Sequence, residues 1–190
     1  MKPDAGTAQV NGFDILEEDL KVRESIGVAF EGSGIYSRMT IRENLRFFAR
    51  LHHMDGKELS ESVESLIHAL NLQNEANHAS ARLTESQKGR LSIACAAVHN
   101  PGLLMIDMPT SEFDMVTTRL IDSFLTTYAD EGRTVIKATR SLVEARLLCR
   151  KMAIVRNGFL VACGTLEEIE QAAGETGLRE ALTELDLGGS

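Results

Sequence analysis

Tryptophan is absent from the 190 residues, and only 2 tyrosines, 3 prolines and 3 cysteines occur. Cys95, Cys149 and Cys163 are too few for a disulfide scaffold and form no C-x-x-C pair. That favours a reducing compartment and reads each as a small core residue. Apolar runs stay well short of the roughly 18 residues that a membrane span needs, and the opening MKPDAGTAQ has neither the basic nor the apolar block of a signal peptide. A cytoplasmic chain is expected. Cations are the scarcer charge, 20 Lys+Arg against 28 Asp+Glu for a net −8, which argues against a general binder of phosphate backbones. The paucity of proline, with 43% hydrophobic residues, argues against collagenous or disordered chains and for a folded core.

What is present alternates between strand and helix patterns. Asn11-Gly12 suits the positive φ angles of a type I′ turn and predicts a hairpin; Asn157-Gly158 predicts a second one, within MAIVRNGFLVACG. Ser25–Phe30, Leu103–Ile106 and Thr134–Ala138 read as strands. Helices are expected from the Thr40/Glu43 capping box to about His52, over Ser60–Leu70 and over Ser86–His99, with a short one capped by Thr165 and Glu168. Leu178, Leu182 and Leu185 mark a frayed helix in a tail that ends Gly-Gly-Ser. Strands alternating with helices imply a parallel α/β sheet.

Asp107 closes the apolar run Leu103–Ile106. A carboxylate at the C-terminal end of a buried parallel strand faces the crevice where ligands bind, and in phosphate-binding folds it holds Mg²⁺; an aspartate after a strand is also a common turn or cap residue. The five histidines show no i, i+4 pair on one helix and no cysteine partner for zinc, so they read as solvent-exposed. Phe30, Phe47, Phe48 and Phe124 read as core. Ser86, Ser92, Ser111 and Ser141 have no G-x-S-x-G context and no recognisable His and Asp, which disfavours nucleophilic catalysis.

Several collinear blocks go further: KPDAGTAQVNGFDI, IYSRMTIRENLRFFARLH, LTESQKGRLSIACAAVHNPGLLMID, PTSEFD, GRTVIKATR and IVRNGFLVACGTLEE. Together they resemble the ATP-binding subunit of ABC transporters, especially bacterial exporter types, from Met1 to about Ala172. The resemblance implies an α/β, P-loop NTPase-like (ABC ATPase) sheet with a helical subdomain and a C-terminal β-hairpin. It divides the chain into an N-terminal hairpin and Q-loop-like region (1–39), a helical subdomain (40–99), a core with Walker B, D-loop and H-loop equivalents plus hairpin (100–173), and a tail (174–190). It also implies ATP and Mg²⁺ as ligands, a membrane subunit and a second ATP-binding subunit as partners, and a peripheral position at the inner face of the cell membrane. Tyr36 and the helix after Thr40 lie where the family docks on its membrane subunit.

The departures from the family pattern are specific. No G-x-x-x-x-G-K-[ST] occurs in these residues; the family carries it just upstream of the position of Met1, so the sheet is expected to lack the P-loop strand. That would leave an open edge on the strand around Thr134–Ala138, with Lys137 facing water, and would unlink Met152–Arg156 from the sheet. Glu31 stands at the position of the family's glutamine. The signature Leu-Ser-Gly-Gly-Gln reads Leu83-Thr84-Glu85-Ser86-Gln87, followed by Lys88 and a retained Arg90. Glu85 places a side chain and a negative charge where a glycine lets backbone approach the γ-phosphate. Asp107 fits the metal-binding position, but Met108 stands where the general-base glutamate belongs, and a thioether cannot take a proton from water. Pro109, Thr110, Ser111 and the D-loop Asp114 are kept, and Arg140 replaces the switch histidine.

By resemblance, then, Asp107 is the metal position, and Thr84, Glu85, Ser86, Gln87 and Asp114 are the nucleotide-facing positions of a degenerate signature and D-loop. Glu31, Met108 and Arg140 are the altered catalytic positions. The function implied is a non-hydrolysing ATP-binding-subunit-like protein of an export system, with ATP and Mg²⁺ bound weakly or not at all. The alternatives are a truncated or decaying copy without independent activity and a working ATPase that energises export.

Overall fold

The computed structural model describes residues 2–30, 34–107 and 113–171. The chain divides into two compact units, Met1–Ala138 and Thr139–Ser190.

The first unit opens with a hairpin of β1 (Gln9–Val10) and β2 (Phe13–Asp14), turned by Asn11 and Gly12 at φ 52° and 85°. A short helix, α1 (Asp19–Ser25), leads directly into β3 (Ile26–Phe30). Nothing in the apolar spacing announces α1: Val22 is its one buried residue, and its exposed face carries the pairs Glu18–Lys21 and Asp19–Arg23.

Three helices follow. α2 (Ile41–Leu51) starts at Thr40, whose side chain accepts from Glu43 N while the Glu43 carboxylate accepts from Thr40 N at 2.8 Å, the capping box read in the sequence. α3 (Gly56–Ala69) begins a turn before the expected Ser60 and has Leu70 as its C-cap. α4 (Glu85–Ala97) is buried along its whole length from Gly89 onwards, which explains its weak amphipathic pattern: it is covered on all sides. Ile41, Leu45 and Ala49 of α2, Val63 and Ile67 of α3, and Leu91 and Ile93 of α4 belong to one core cluster.

Strands β3, β4 (Leu103–Asp107) and β5 (Thr134–Lys137) form a parallel sheet in the order β3-β4-β5, with Phe30 opposite Asp107 and Ile106 opposite Lys137. α4 lies against β3 so closely that a Cβ built on Gly27 would come within 2.0 Å of the Ala96 carbonyl oxygen. α5 (Met115–Asp130) connects β4 to β5, burying Ile121, Leu125 and Tyr128; the Tyr128 hydroxyl donates to Pro101 O at 2.8 Å.

Among the described residues β5 pairs only with β4, and Ile136 on it is half-exposed. Lys137, expected to face water, does not. Its side chain is only 5% exposed and its ammonium donates to Asp122 of α5 at 3.1 Å. The charge is accommodated by a carboxylate supplied from the covering helix, so β5 tolerates a lysine without solvating it.

The second unit holds α6 (Leu142–Leu148), whose Ser141 cap accepts from Glu144 N, and an antiparallel hairpin of β6 (Met152–Arg156) and β7 (Phe159–Gly164). Asn157 and Gly158 turn it at φ 49° and 82°, as the sequence pattern requires. Glu168 accepts from Thr165 N at 2.8 Å and opens the helical segment 166–171. Cys163 on β7 is exposed and Cys149 half-buried; of the three cysteines only Cys95 is a core residue. The leucines of the tail lie outside the described residues.

Candidate functional site

The C-terminal ends of parallel strands β3 and β4 set the site. Asp107 is the last residue of β4, exposed and in register with Phe30, the last of β3. Phe30 is itself half-exposed there, so it is a rim residue and not the core residue its apolarity suggested. Ser92 of α4 donates to the Phe30 carbonyl at 3.3 Å, which ties the second turn of α4 to this strand end. Glu31 and Met108, the next residue on each strand's continuation, lie outside the described residues, as do Pro109, Thr110 and Ser111.

Thr84–Gln87 form the start of α4, and their polar groups are largely spent on the helix. Thr84 is the N-cap: its hydroxyl accepts from Gln87 N at 3.3 Å, and the Gln87 side-chain oxygen accepts from Thr84 N at 2.8 Å. Ser86 Oγ lies 3.3 Å from Thr84 Oγ1. Glu85 points outward, its side chain 81% exposed and its carboxylate 2.7 Å from the Lys88 ammonium. A helix N-terminus attracts anions through its free N–H groups and dipole. Here a carboxylate already stands in the first turn and both bonds of the capping box are closed.

Phe113 connects this segment to the residues after β4. Its ring covers Gly89, where a Cβ would meet Phe113 Cζ at 2.4 Å. Asp114 follows as N-cap of α5, its carboxylate accepting from Thr117 N at 2.9 Å and from the Thr117 hydroxyl at 2.7 Å. Those bonds, the backbone one first, hold its carboxyl below the usual carboxylate range. Arg140 is exposed in the second unit, at the bend before α6.

Asp107 is the candidate for a cation at these strand ends; among the described residues no group of three or more His, Cys, Asp and Glu converges. One carboxylate suits Mg²⁺, which is commonly held by one or two carboxylates together with substrate phosphates and water.

Two features had no signal in the sequence. Arg90 is buried, and its guanidinium donates to the carbonyls of Leu70 and Asn71, at the end of α3. Of the histidines, His53, His68 and His78 are exposed, but His52 and His99 are half-buried and stacked on each other. Residues far apart in the chain make both contacts, so no local pattern reveals them.

Comparison with known proteins bears on the family and the fold. The family model described as ABC transporter matches residues 1–111. The ABC transporter ATP-binding protein NatA of Bacillus subtilis (strain 168) is 27% identical over 173 residues, covering 90% of this chain and 70% of that protein. The probable multidrug ABC transporter ATP-binding protein YbhF of Escherichia coli (strain K12) is 32% identical over 168 residues, 88% of this chain but 29% of YbhF. The phospholipid-transporting ATPase ABCA3 of Rattus norvegicus is 30% identical over 172 residues, of which this chain spans 10% of the length. Among solved structures, that of the ATP-binding subunit of an ABC transporter superposes with a TM-score of 0.84 at 23% identity, covering 98% of this chain and 78% of that one. The dimeric ATP-binding cassette MJ0796, bound to ADP and Pi, superposes at 0.74 with 22% identity, covering 87% and 75%. The fold is that of an ABC ATPase, and the chain belongs to the ABC transporter ATP-binding protein family.

Proposed function

We propose that this chain serves an export system as a non-hydrolysing ATP-binding-type subunit, pairing with an intact ATP-binding subunit and docking on a membrane subunit. The start of α4 carries the reading. Thr84 and Gln87 close a capping box on each other, and Glu85 projects a carboxylate where the family brings a glycine to the γ-phosphate of the opposite subunit. Met108 in place of the general-base glutamate and Arg140 in place of the histidine act in the same direction, and all three substitutions lie inside the chain.

Asp107 is the residue to hold Mg²⁺, and Thr84, Ser86, Gln87 and Asp114 are those that would face nucleotide on a partner. The resemblance assigns docking to Tyr36 and α2; Tyr36 and Phe47 pack edge to face with centroids 4.8 Å apart, and Tyr36 is half-exposed. Among the described residues no helix is long and apolar enough to cross a membrane, which suits attachment through a membrane subunit at the cytoplasmic face. The working division keeps 1–39, 40–99, 100–173 and 174–190 as separate functional segments.

Purified chain is to be assayed for Mg-ATP hydrolysis alone and mixed with an intact ABC ATP-binding subunit. No turnover is expected from the chain alone. Turnover that Asp107→Asn abolishes would overturn the proposal and restore the reading as a working ATPase.

A further inference from the structure

His52 caps the C-terminus of α2 and His99 lies two residues beyond α4, yet their rings stack with centroids 3.4 Å apart and planes 3° from parallel. They line a cleft of about 180 Å³ between β3, α2 and α4. His99 Nε2 lies 3.1 Å from the carbonyl of Ile26, the first residue of β3, so this nitrogen carries the proton and donates. Nδ1 of the same ring is buried and has no hydrogen-bond partner among the described residues.

That geometry favours the neutral ring. In the neutral tautomer Nδ1 is a bare lone pair, which burial penalises modestly. Protonation would turn it into a buried N–H with no acceptor, and would set a positive charge face to face with a second imidazole. The groups facing the pair are few. From α1, the backbone carbonyl of Glu24 accepts from His52 and the Glu24 carboxylate favours its cation; His53 next along the chain opposes it. From α4, Cys95 lines the cleft, and burial holds its thiol protonated. The rest of the lining is apolar apart from Ser92.

We propose that the His52–His99 stack is a proton-sensitive latch: neutral, it clamps the end of α2 to α4 and to the start of β3, and protonated, it releases that corner. α2 carries Phe47 beside Tyr36, and α4 begins with Thr84–Gln87, so the latch joins the far ends of the two helices that bear the docking and nucleotide-facing segments. The proposal stands whether or not the chain hydrolyses ATP.

Burial, reinforced by the neighbouring His52, pushes His99 down from 6.5 to about 4, and burial lowers His52 as well. The closed state therefore binds fewer protons than the open one. The latch is fully effective above pH 6.5, weakens as pH falls below it, and is lost by about pH 4.

Two measurements test it. In the unaltered chain, the imidazole Cε1–H resonance of His99, assigned from the spectrum of His99→Gln, is followed from high to low pH. A midpoint well below the ordinary histidine range is expected, and an ordinary midpoint overturns the latch. In the second, Cys95 serves as reporter in a Cys149→Ser/Cys163→Ser background, labelled with 4,4′-dithiodipyridine and normalised to a cysteine peptide. Labelling should accelerate about tenfold from neutral pH to one and a half units below the free histidine pKa, and His52→Gln should flatten that dependence. A rate that ignores pH, or an identical profile in His52→Gln, overturns the proposal. If His52→Gln fails to fold, the parent profile decides alone.

Discussion

Arg90 on α4 donates through Nη1 to the carbonyl of Asn71 at 2.7 Å and to that of Leu70 at 3.0 Å, so the arginine that follows the Thr84–Gln87 segment caps the C-terminus of α3. The end of α3 is a Schellman turn. Asn71 sits at φ 50°, its N–H donates to His68 O at 3.1 Å, and Leu72 N donates to Ile67 O at 2.8 Å. The turn leaves the last carbonyls without intrahelical donors, and Arg90 supplies a cation to them at the negative end of the helix dipole. Arg90→Met should cost about 1–3 kcal/mol of stability, because it leaves the buried Leu70 carbonyl without its donor. Arg90→Lys should recover part of that loss. Urea unfolding at neutral pH of the three proteins checks the order.

Two glycines, Gly27 on β3 against α4 and Gly89 within α4, predict opposite outcomes. At Gly27 a methyl group would lie 2.0 Å from the backbone oxygen of Ala96 and 2.9 Å from Pro101 Cγ, so α4 itself would have to move away from the sheet. Gly27→Ala should destabilise by about 3 kcal/mol or more. At Gly89 the obstacle is the far end of the Phe113 side chain, which can swing aside, and alanine gains about 1 kcal/mol in a helix interior. Gly89→Ala should therefore stay within about 1 kcal/mol of the parent, a contrast that a pair of thermal melts resolves.

Asn44 argues a third case. Fully buried on α2, it accepts from Tyr36 N at 2.8 Å, and its two N–H groups are shared among Thr40 O, Tyr36 O, Ser80 Oγ and Met39 O at 2.9, 3.1, 3.1 and 3.3 Å. One amide thus anchors the loop before α2 to both that helix and the Ser80 turn. Asn44→Ala should cost about 2–3 kcal/mol and raise amide exchange at Tyr36. Asn44→Asp should cost more, since a carboxylate facing carbonyl oxygens has lost the donor they need. Exchange mass spectrometry of the 34–44 peptide separates a local release from global loss.

What the sequence disclosed was local, and what it hid was long-range. The Asn11-Gly12 and Asn157-Gly158 turns, the Thr40/Glu43 box and the apolar run into Asp107 each announce themselves within a few residues, because turn chemistry, capping and strand burial are short-range constraints. The same logic reads Thr84–Gln87 in two ways: by resemblance as the position of the family's signature, and as geometry a capping box. α1 escaped because a single buried valine leaves no periodicity to detect. Lys137 was misread as solvated because its partner, Asp122, comes from the helix that precedes its strand. The His52–His99 stack escaped for the same kind of reason: partners distant in sequence meet only once β3 and the helices have packed.

Glu85 sets two effects of opposite sign against each other. As a carboxylate in the first turn of α4 it favours the helix dipole and pairs with Lys88 at 2.7 Å, but with its side chain 81% exposed that pair contributes less than about 1 kcal/mol. Glu85→Gly removes this support and adds the backbone freedom of glycine, so it should lower stability by about 1 kcal/mol in a thermal melt. On the proposed function, it also removes a charge and a side chain from the position that would meet the γ-phosphate of a nucleotide held by an opposite subunit. In the variant, Mg-ATP should therefore promote association with an intact ABC ATP-binding subunit more strongly than in the parent, read as a lower midpoint in ultracentrifugation or light scattering. Adding charge back in a form that keeps the helix support, as Glu85→Asp, should return association to the parent level. If Glu85→Gly and Glu85→Asp associate alike, the carboxylate is not what limits association at this position.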